Sequence, residues 1–499
     1  MLPVITLPAP QPPNIILFMV DDMGWQDTSV PFWTKTTPLN ATYETPNMAR
    51  LASQGMVFTQ AYASPISSPS RCSLLTGANA ARHRVTNWTF RRDQITDEPD
   101  SLLSPPEWNC NGICQTPGTP RTFTARSFVD ILHEAGYYTI HCGKAHWGAQ
   151  DTPGESPQHF GFDVNIAGHA AGGPATYLSE QNFGHDAQGR PTGQFATPGL
   201  EKYWGTGTFL TEALTQEAIA ALNYKHSTLN SQPFFLYLSH YAVHVPIDRD
   251  PRYYEHYRSR GLSEKEAAYA SLVAGMDKSL GDILDWLERN HLEDNTIVLF
   301  MSDNGGYATG TAWRDEPLFT QNAPLRCGKG SLHEGGIREP MIVRWPGVVQ
   351  PEQRCDSYLL VEDFFPTILE MAGIHSYNVP QTIDGRSFVP LLRGTGDPSR
   401  HRQLIWNYPH VWGNRGPAID MNCAIRSGRW KLIYSYKTRR HQLFDIQEDI
   451  GEQHDLSAQC PRLVRRLARD LGRRLRALHA QRPTIQSTGL PAPWPDETL

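Results

Sequence analysis

The chain has 499 residues, of which 39% are hydrophobic and 19% are charged, a composition typical of a globular protein with a large core and two domains. Its formal net charge of −6 excludes a general field that attracts nucleic acid or an acidic membrane, so an anionic ligand needs a local cluster of positive side chains. The longest apolar runs, such as residues 15–20, are far shorter than the roughly 20 residues of a membrane helix, so no membrane span is expected.

The first residues, MLPVITLPAPQPP, lack the basic region and apolar core of a secretory signal. They fit either a cytoplasmic protein or a chain from which a signal has been removed. The eight cysteines are too few for a dense disulfide framework, although Cys110 and Cys114 could bridge a short loop. A zinc site at that loop would need two further ligands, and none is spaced nearby.

Short apolar runs rich in β-branched and aromatic residues alternate with segments that can form helices, such as residues 128–136. The runs cover residues 14–20, 137–142, 233–239, 296–301 and 341–345. They are continuous rather than alternating, which is typical of strands covered on both faces. We therefore predict an α/β fold with a large, mixed, mainly parallel sheet between helices, and ligands beyond the carboxyl ends of its strands.

The pattern changes near residue 395, which predicts a catalytic α/β domain over residues 1–395 and a smaller unit over residues 396–499. In the smaller unit, strand-like pieces follow one another closely at residues 402–408, 422–436 and 441–446. A helix is predicted over residues 461–481, with leucines at helical spacing opposite an arginine-rich face. We interpret it as an amphipathic helix that packs on a small antiparallel sheet.

Polar side chains follow two of the apolar runs. Asp21 and Asp22 come directly after the first run, and Asp303 and Asn304 follow the fourth after one serine. Each pair alone is more often a helix cap or a turn. If the two pairs converge, their oxygen ligands favour calcium or magnesium over zinc.

The segment SSPSRCSLLTG at residues 67–77 carries the most specific motif. Ser67, the Pro-Ser-Arg run that ends at Arg71, and the final Thr-Gly resemble the activation signature of the type I sulfatases in the alkaline phosphatase superfamily. The residues after Arg71 can form a helix, and backbone donors near a helix start favour an anion. A Ser/Pro loop that caps a helix would explain this motif if it stood alone.

The resemblance implies that a radical-type, bacterial sulfatase-maturating enzyme oxidises Ser67 to formylglycine (3-oxoalanine), whose hydrated aldehyde is the nucleophile. It also implies a Ca²⁺ site formed by Asp21, Asp22, Asp303 and Asn304, completed by the oxygen of residue 67. Many members of the family carry cysteine at this position. The serine form depends on the bacterial type of maturation.

Two further segments resemble family elements that bind the nucleophile and the sulfate. HCGKAHWG is similar to the Gly-Lys-x-His-x-Gly element, in which Lys144 would bind the nucleophile and the sulfate and His146 would take a proton from the second hydroxyl. LRCGKGSLHEGGIREP matches the element in which Lys329 binds sulfate beside the bridging oxygen. Arg71 would add a further positive charge, and Glu334 and Arg338 would hold the loop together.

A histidine is expected to protonate the leaving group. SHYAVHVPI resembles the family stretch in which His244 would be the general acid, because a sugar alkoxide leaves poorly without a proton. His240 is the alternative, although it is also expected to pack at a strand end.

The implied function is hydrolysis of a sulfate ester on a carbohydrate, of the galactose or N-acetylgalactosamine type. Family resemblance also favours a periplasmic or secreted protein whose signal is absent from the chain. Aromatic and cationic side chains in irregular segments are candidates for binding a sulfated sugar. These candidates are His169, Trp313, Arg314, His410 and Trp412.

Two other functions stay open at this point. A phosphoesterase or phosphonate hydrolase would use a similar site, but a two-metal centre needs a second Asp/His ligand set that the sequence does not offer. Metal stoichiometry separates the two. A sulfoglycan-binding protein would keep Ser67 unconverted, so the mass of the peptide that carries Ser67 decides between binding and catalysis.

Overall fold

The computed structural model describes residues 11–229, 231–308, 322–413 and 416–499. The strands in this part of the chain are β1 (Asn14–Val20), β2 (Met56–Tyr62), β3 (Leu103–Ser104), β4 (Ile113–Cys114), β5 (Phe123–Thr124), β6 (Tyr138–Gly143), β7 (Val164–Ile166), β8 (Phe234–Ser239), β9 (Thr296–Ser302), β10 (Arg338–Arg344), β11 (Gln353–Cys355), β12 (Leu359–Leu360), β13 (Gln403–Tyr408), β14 (Asn422–Ser427), β15 (Trp430–Ser435), β16 (His441–Asp445) and β17 (Thr484–Ile485). The α-helices are α1 (Pro38–Thr42), α2 (Pro46–Ser53), α3 (Ser67–Thr76), α4 (Ala80–His83), α5 (Phe128–Glu134), α6 (Leu210–Thr228), α7 (Tyr254–Ser259), α8 (Glu264–Arg289), α9 (Glu334–Ile337), α10 (Phe364–Met371), α11 (Val389–Leu392) and α12 (Pro461–Ala477).

A large sheet forms the centre of the molecule, in the order β11-β2-β10-β9-β1-β8-β6-β7, with β12 also paired to β2. β1 pairs in parallel with both β8 and β9, and β6 pairs in parallel with β7 and β8. β10 is antiparallel to β9 and β2. The predicted α/β fold with a mixed, mainly parallel sheet is confirmed, and all five predicted apolar runs contribute strands.

Helices cover both faces of this sheet. Along β1, Ile16 and Phe18 belong to a buried cluster that includes residues of α6 and α8. Ile15 and Leu17 belong to a second cluster that includes residues of α3, α5 and α10. Both faces of β1 are therefore buried, which explains why its sequence is a continuous apolar run.

A separate antiparallel sheet, in the order β13-β14-β15-β16, follows near the C-terminus, as predicted. The predicted piece over residues 422–436 is two strands joined by a tight turn, in which Ser427 pairs with Trp430 and Gly428 has a φ of 61°. Side chains of α12 such as Leu467 and Leu471 pack on this sheet.

The division at residue 395 stays a prediction. One buried cluster contains Tyr62 and Leu360 on one side of that division and Trp406 and Phe444 on the other. The two sheets are therefore joined by shared apolar packing. Among the described helices, none is long and apolar enough to cross a membrane. Cys110 and Cys114 are free thiols.

Candidate active site

Two adjacent parallel strands bring the predicted metal ligands together. Asp21 and Asp22 follow β1, and Asp303 and Asn304 follow the last residue of β9, so both pairs emerge at the same edge of the sheet. The Asn304 amide donates a hydrogen bond to Asp22 Oδ1 at 2.7 Å, and the Asp22 backbone N–H donates to Asp303 Oδ1 at 3.3 Å. All four side chains are fully buried.

Ser67 is the first residue of α3 and points into this group. Its Oγ lies 3.1 Å from Asn304 Oδ1 and 3.4 Å from Asp21 Oδ1, and it accepts a hydrogen bond from Lys144 Nζ at 2.9 Å. Ser67 is 2% exposed. The candidate nucleophile position and the predicted metal ligands are therefore in direct contact.

Three positive side chains pair with the three aspartates. Arg71 donates from Nε to Asp303 Oδ2 at 2.9 Å, and its Nη2 lies 2.8 Å from the same oxygen. The ammonium of Lys144 is 2.7 Å from Asp21 Oδ2. Lys329 Nζ is 2.8 Å from Asp22 Oδ1. These six side chains, which we call the catalytic cluster, carry three charges of each sign.

Burial and neighbouring charges shift the pKa values within the catalytic cluster. Burial raises the pKa of Asp21 well above its usual value, and Asp303 and Asp22 add to this increase although Lys144 opposes it. Burial also lowers the pKa of Lys144. The pKa values of Asp22 and Asp303 are lowered despite burial, chiefly by Lys329 and Arg71 respectively. Desolvation thus disfavours the charged forms of both Lys144 and Asp21.

The cluster fits a hard cation. Three carboxylates, the Asn304 amide oxygen and the Ser67 hydroxyl offer only oxygen ligands, the set that Ca²⁺ or Mg²⁺ prefers. Burial is the main cause of the raised pKa of Asp21, and a bound cation would offset the repulsion from Asp303 and Asp22 that adds to it. Asp21 and Asp22, together with His244, form a close group of possible metal-ligating side chains in the described chain.

The two predicted catalytic histidines are held by backbone carbonyls. Nε2 of His146 lies 3.0 Å from Thr89 O. Since a carbonyl oxygen can only accept a hydrogen bond, Nε2 is the donor and carries the proton. The Nδ1 of His146 is buried and makes no hydrogen bond with the described residues. His244 donates from Nδ1 to Val245 O at 2.7 Å, and its Nε2 lies 3.8 Å from Asp22 Oδ2. Each ring therefore has one fixed nitrogen and one available nitrogen.

Burial lowers the pKa of both rings. The pKa of His146 lies well below its usual value, with Lys144 adding to the effect of burial. Burial and then Lys329 lower the pKa of His244 to about 3. Without a bound anion, both histidines are neutral at neutral pH.

Two glycines that sequence reasoning did not select make room for these rings. A Cβ on Gly172 would lie 2.4 Å from Cε1 of His146, and a Cβ on Gly173 would lie 2.8 Å from Nδ1 of His244. Any larger residue would therefore displace a candidate catalytic ring. In the sequence, the Ala-Gly-Gly run indicates only a segment of small residues. Its contacts with the two histidine rings depend on how the loop folds.

A cleft opens over the cluster, and its lining brings together several predicted residues. Trp412, a predicted sugar-binding residue, lies in the lining with its ring 5.2 Å from Lys329 Nζ. Trp88 and Phe195 also line the cleft and were missed. The described lining consists of Ile66, Ser67, Trp88, His146, Gly172, Gly173, Phe195, His244, Lys329 and Trp412.

Other predicted residues lie elsewhere. His410 is fully buried, with Nδ1 2.6 Å from Asp97 Oδ1 and Nε2 2.6 Å from Thr86 Oγ1, and it does not line the cleft. His169 is also absent from the lining, although its carbonyl accepts a hydrogen bond from the His146 backbone N–H. Trp313 and Arg314 lie outside the described residues.

His240, the alternative general acid, packs away from the cleft. Its Nε2 lies 2.7 Å from Ser279 Oγ on α8, and its ring is 5.2 Å from that of Phe18. The ring is fully buried and is not part of the cleft lining. His244 is therefore the histidine of this segment that the fold brings to the cleft.

Comparison with known proteins gives this chain a family. Residues 13–374 match the family model described as Sulfatase. The chain belongs to the sulfatase family. Residues 327–481 of this sulfatase also match the model described as N-sulphoglucosamine sulphohydrolase, C-terminal.

Similar proteins align with this sulfatase over most of its length. A sulfatase of Formosa agariphila is 30% identical, with 91% of this chain and 86% of that protein covered. Human N-acetylgalactosamine-6-sulfatase is 29% identical, with 90% of this chain and 82% of that protein covered. This chain also resembles a solved structure, the crystal structure of Ps i-CgsB in complex with k-i-k-neocarrahexaose. The two sequences are 27% identical, the TM-score is 0.73, and the match covers 93% of each chain.

Proposed function

We propose that this sulfatase removes a sulfate ester from a carbohydrate, through a formylglycine made from Ser67 and a bound Ca²⁺. The observation that carries the proposal is the position of Ser67 Oγ, which lies within 3.4 Å of Asp21, Asn304 and Lys144 and faces the cleft. A hydroxyl in this setting is next to both the cation ligands and the positive side chains that an anionic ester requires.

Asp21, Asp22, Asp303, Asn304 and the oxygen of residue 67 would hold the calcium ion. When bound, the ion would polarise the sulfate and help to fix the nucleophile. Hydrated formylglycine would supply one hydroxyl for attack at sulfur and a second hydroxyl that a base can deprotonate. With a divalent cation present, the charge of the catalytic cluster would change from balanced to positive, which favours binding of a sulfate.

Lys144 and His146 would act on the oxygens of residue 67. Lys144 already donates to Ser67 Oγ at 2.9 Å, and this donation would orient the attacking oxygen. His146 has its proton on Nε2, which leaves Nδ1 as an unprotonated acceptor. That nitrogen would take the proton of the second hydroxyl, so that sulfate is expelled and the aldehyde is restored.

His244 and Lys329 would act at the bridging oxygen of the ester. Nε2 of His244 is the nitrogen that would donate a proton to the leaving sugar oxygen. A bound sulfate would raise the pKa of this ring from its low resting value, because a nearby negative charge favours the imidazolium. Lys329, which is 4% exposed and lines the cleft, would bind the sulfate together with Arg71.

A sugar of the galactose or N-acetylgalactosamine type is the proposed substrate. The name of the human relative, N-acetylgalactosamine-6-sulfatase, supports this class. The indole rings of Trp88 and Trp412 line the cleft, and aromatic faces of this kind pack against sugar rings. Trp412, His169, Trp313 and Arg314 are candidates for contacts with the glycan beyond the ester, whereas His410 is fully buried and would not contact it.

The proposal also requires a radical-type maturating enzyme as a transient partner. Such an enzyme would oxidise the primary alcohol of Ser67 to the aldehyde. We further propose a periplasmic or secreted location, because family members that degrade glycans meet their polymers outside the cytoplasm.

Mass spectrometry and turnover together test the proposal. Protein co-expressed with a radical maturase should lose about 2 Da at the peptide that carries Ser67, as expected for oxidation of an alcohol to an aldehyde. The matured protein should release sulfate from mono-sulfated galactose or N-acetylgalactosamine. Ser67→Ala should show no mass loss and no turnover, with unchanged folding.

Three results would contradict the proposal. Turnover by protein whose Ser67 peptide is unmodified would exclude formylglycine as the nucleophile. Preferential release of phosphate over sulfate, with two metals bound, would favour a phosphoesterase. Fully converted protein that binds sulfated sugars without turnover would leave only a binding function.

A further inference from the structure

A second cleft lies between the edge of the central sheet and the small sheet, and we call it the edge cleft. Its lining includes residues 59–60 of β2, residues 354 and 356–358 at and after β11, and residues 426, 428 and 429 at the β14–β15 turn. Residues 32–34, in the loop after β1, complete it. Its volume of about 700 Å³ is within the usual range of ligand sites, and it shares no described lining residue with the active-site cleft.

Positive side chains predominate in the lining of the edge cleft. Two aspartates are present, Asp356 and Asp397. Against these, the described lining contains the four arginines Arg338, Arg354, Arg426 and Arg429. The chain as a whole has a net charge of −6, so this excess of positive charge is local. A local excess in a concave site favours an anionic ligand.

Arg354 is the arginine most available to such a ligand. It donates from Nη1 to Pro31 O at 3.1 Å and from Nη2 to Phe32 O at 2.7 Å, so neutral carbonyls fix the guanidinium without cancelling its charge. Its nearest carboxylate contact is Asp356, at 3.7 Å from Nε. The side chain is 35% exposed. Arg354 is therefore rigid, charged and open to the cleft.

The other arginines are more strongly committed to the protein. Arg429 pairs with Asp445, 2.8 Å from its Nε, while its side chain stays 38% exposed. Arg426 donates from Nε to Gly428 O at 3.0 Å, and its guanidinium stacks 4.4 Å above the ring of Tyr358. These contacts fix the shape of the wall before any ligand binds, which lowers the entropic cost of binding.

Aromatic side chains lie among these charges. Trp33 is half-buried in the lining, and Lys35 Nζ lies 5.2 Å from its ring centre. Tyr358 also lines the cleft, and its hydroxyl donates to Arg402 O at 2.6 Å. An indole face beside an ammonium and a guanidinium suits a ligand that combines apolar ring faces with anionic groups.

We propose that the edge cleft binds a sulfated segment of a glycan chain, at a distance from the ester that is hydrolysed. A sulfate group pairs with Arg354, and a sugar ring packs on Trp33. This inference rests on the proposed function, because it gives the same polymer a second contact with the enzyme. Such a contact increases the effective concentration of the remaining esters near the active site without altering its chemistry.

Binding is measured by calorimetry on the full chain that carries Ser67→Ala, so that the probe is not consumed. The probes are a chondroitin 6-sulfate decasaccharide, the unsulfated decasaccharide and inorganic sulfate. Into this background we introduce Arg354→Gln or Trp33→Ala. Arg289→Gln, an exposed arginine at the end of α8, is the matched control for loss of one charge.

Arg354→Gln should weaken binding of the sulfated decasaccharide about three- to fivefold at low salt, the size expected for one exposed ion pair. Trp33→Ala should have a similar effect, and Arg289→Gln should have none. The unsulfated decasaccharide and inorganic sulfate should bind far more weakly. In matured protein with Ser67 intact, both cleft variants should lower kcat/KM for the polymer but leave turnover of a small aryl sulfate unchanged.

Unchanged binding of the sulfated decasaccharide in both cleft variants would overturn the proposal. So would an equal loss in Arg289→Gln, or equal binding of the unsulfated probe. Thermal unfolding shows whether each variant is folded. If Trp33→Ala does not fold, Arg354→Gln alone still tests the proposal. Because binding in the Ser67→Ala background needs no catalysis, failure of the sulfatase proposal is separable from failure of the edge cleft.

Discussion

Two buried clusters of charged side chains lie at opposite ends of the segment 329–334. The catalytic cluster is at one end, where Lys329 pairs with Asp22. At the other end, Lys431 of the small sheet lies 2.9 Å from Glu334 Oε1 and 3.0 Å from Glu452 Oε1. We call Glu334, Glu452 and Lys431 the interface cluster, because it joins the two sheets.

The two clusters have similar components, but they differ at the Asp21–Lys144 pair, whose charged forms are disfavoured by burial. In the interface cluster, Lys431, with Arg338 and Arg426 nearby, holds the pKa of Glu334 at about 2 although burial opposes this, and the pKa of Glu452 is also lowered. In the catalytic cluster, burial raises the pKa of Asp21 and lowers that of Lys144. The two interface carboxylates are therefore already compensated by positive side chains, whereas a cation and an anion bound as proposed would add compensation to the catalytic cluster.

Removal of one lysine from each cluster should separate the two roles. Lys431→Met leaves two buried carboxylates without their shared cation and should reduce the free energy of unfolding by about 3–5 kcal/mol. Lys329→Met should instead lower turnover by about 10²–10³-fold, because it removes a positive group at the proposed sulfate site. In protein loaded with Ca²⁺ its loss of stability should be much smaller than that of Lys431→Met, because the cation would still compensate the buried carboxylate of Asp22. Urea unfolding and turnover of matured protein measure both effects.

A surface lysine supplies the control for this pair. Lys202 is 61% exposed and pairs with Glu217, so Lys202→Met should change the free energy of unfolding by at most about 1 kcal/mol. If Lys431→Met were as stable as Lys202→Met, the contrast between the two clusters would be wrong.

His244→Ala tests the histidine that lies beside the catalytic cluster, next to Asp22. It should slow hydrolysis of sugar sulfates by about 10²-fold or more, because the alkoxide then leaves without a proton. Aryl sulfates should be slowed less, since a phenolate leaves without much help. Steady-state kinetics with both substrates measure the difference. Equal slowing would remove the role of His244 as the acid.

Glu362 tests a buried carboxylate outside both clusters, and its effect should be the smallest. Burial, with Asp363 beside it, raises the pKa of Glu362 from its usual value of 4.5 to about 8. The folded protein therefore keeps a proton that the unfolded chain releases, so stability falls as pH rises from about 4.5 to 8. Glu362→Gln keeps an amide oxygen for Asn79 and should be more stable than the parent by about 1–3 kcal/mol above pH 8.

Near pH 4 the stability difference between Glu362→Gln and the parent should disappear, because Glu362 is then protonated in both states. Denaturant unfolding at pH 4, 6 and 9 measures this trend. Glu370→Gln, on α10 directly after the segment of Glu362, is the control for loss of one carboxylate. A constant difference across these pH values would show that Glu362 is charged in the folded protein.

The sequence predicts residues at the strand ends best. Asp21 directly follows one apolar run, and Asp303 follows another after one serine. Because neighbouring parallel strands have their carboxyl ends at the same edge of the sheet, the two side chains could be expected to converge. β2 was missed because Thr59 and Gln60 interrupt its apolar pattern. The turn at Gly428 was also missed within an otherwise strand-like piece, although a glycine in that position is a turn signal.

Residues on long loops were predicted poorly. Trp88 and Phe195 reach the cleft from segments whose paths depend on the packing of the whole molecule. His410 sits two residues from Trp412, but only the tryptophan lines the cleft, because the histidine ring turns towards Asp97 and Thr86. Proximity in the chain is a weak guide to side-chain direction where no strand or helix sets the period.

Every residue of α3, from Ser67 to Thr76, is buried. Under the proposed function, a maturating enzyme would therefore have to reach the Ser67 hydroxyl before this helix packs against the sheet, on the nascent or unfolded chain. The order of folding and modification would then decide the state of each molecule. A copy that folds first would keep its serine, and synthesis in a host that supplies the maturating enzyme during translation would be needed for a uniformly converted population.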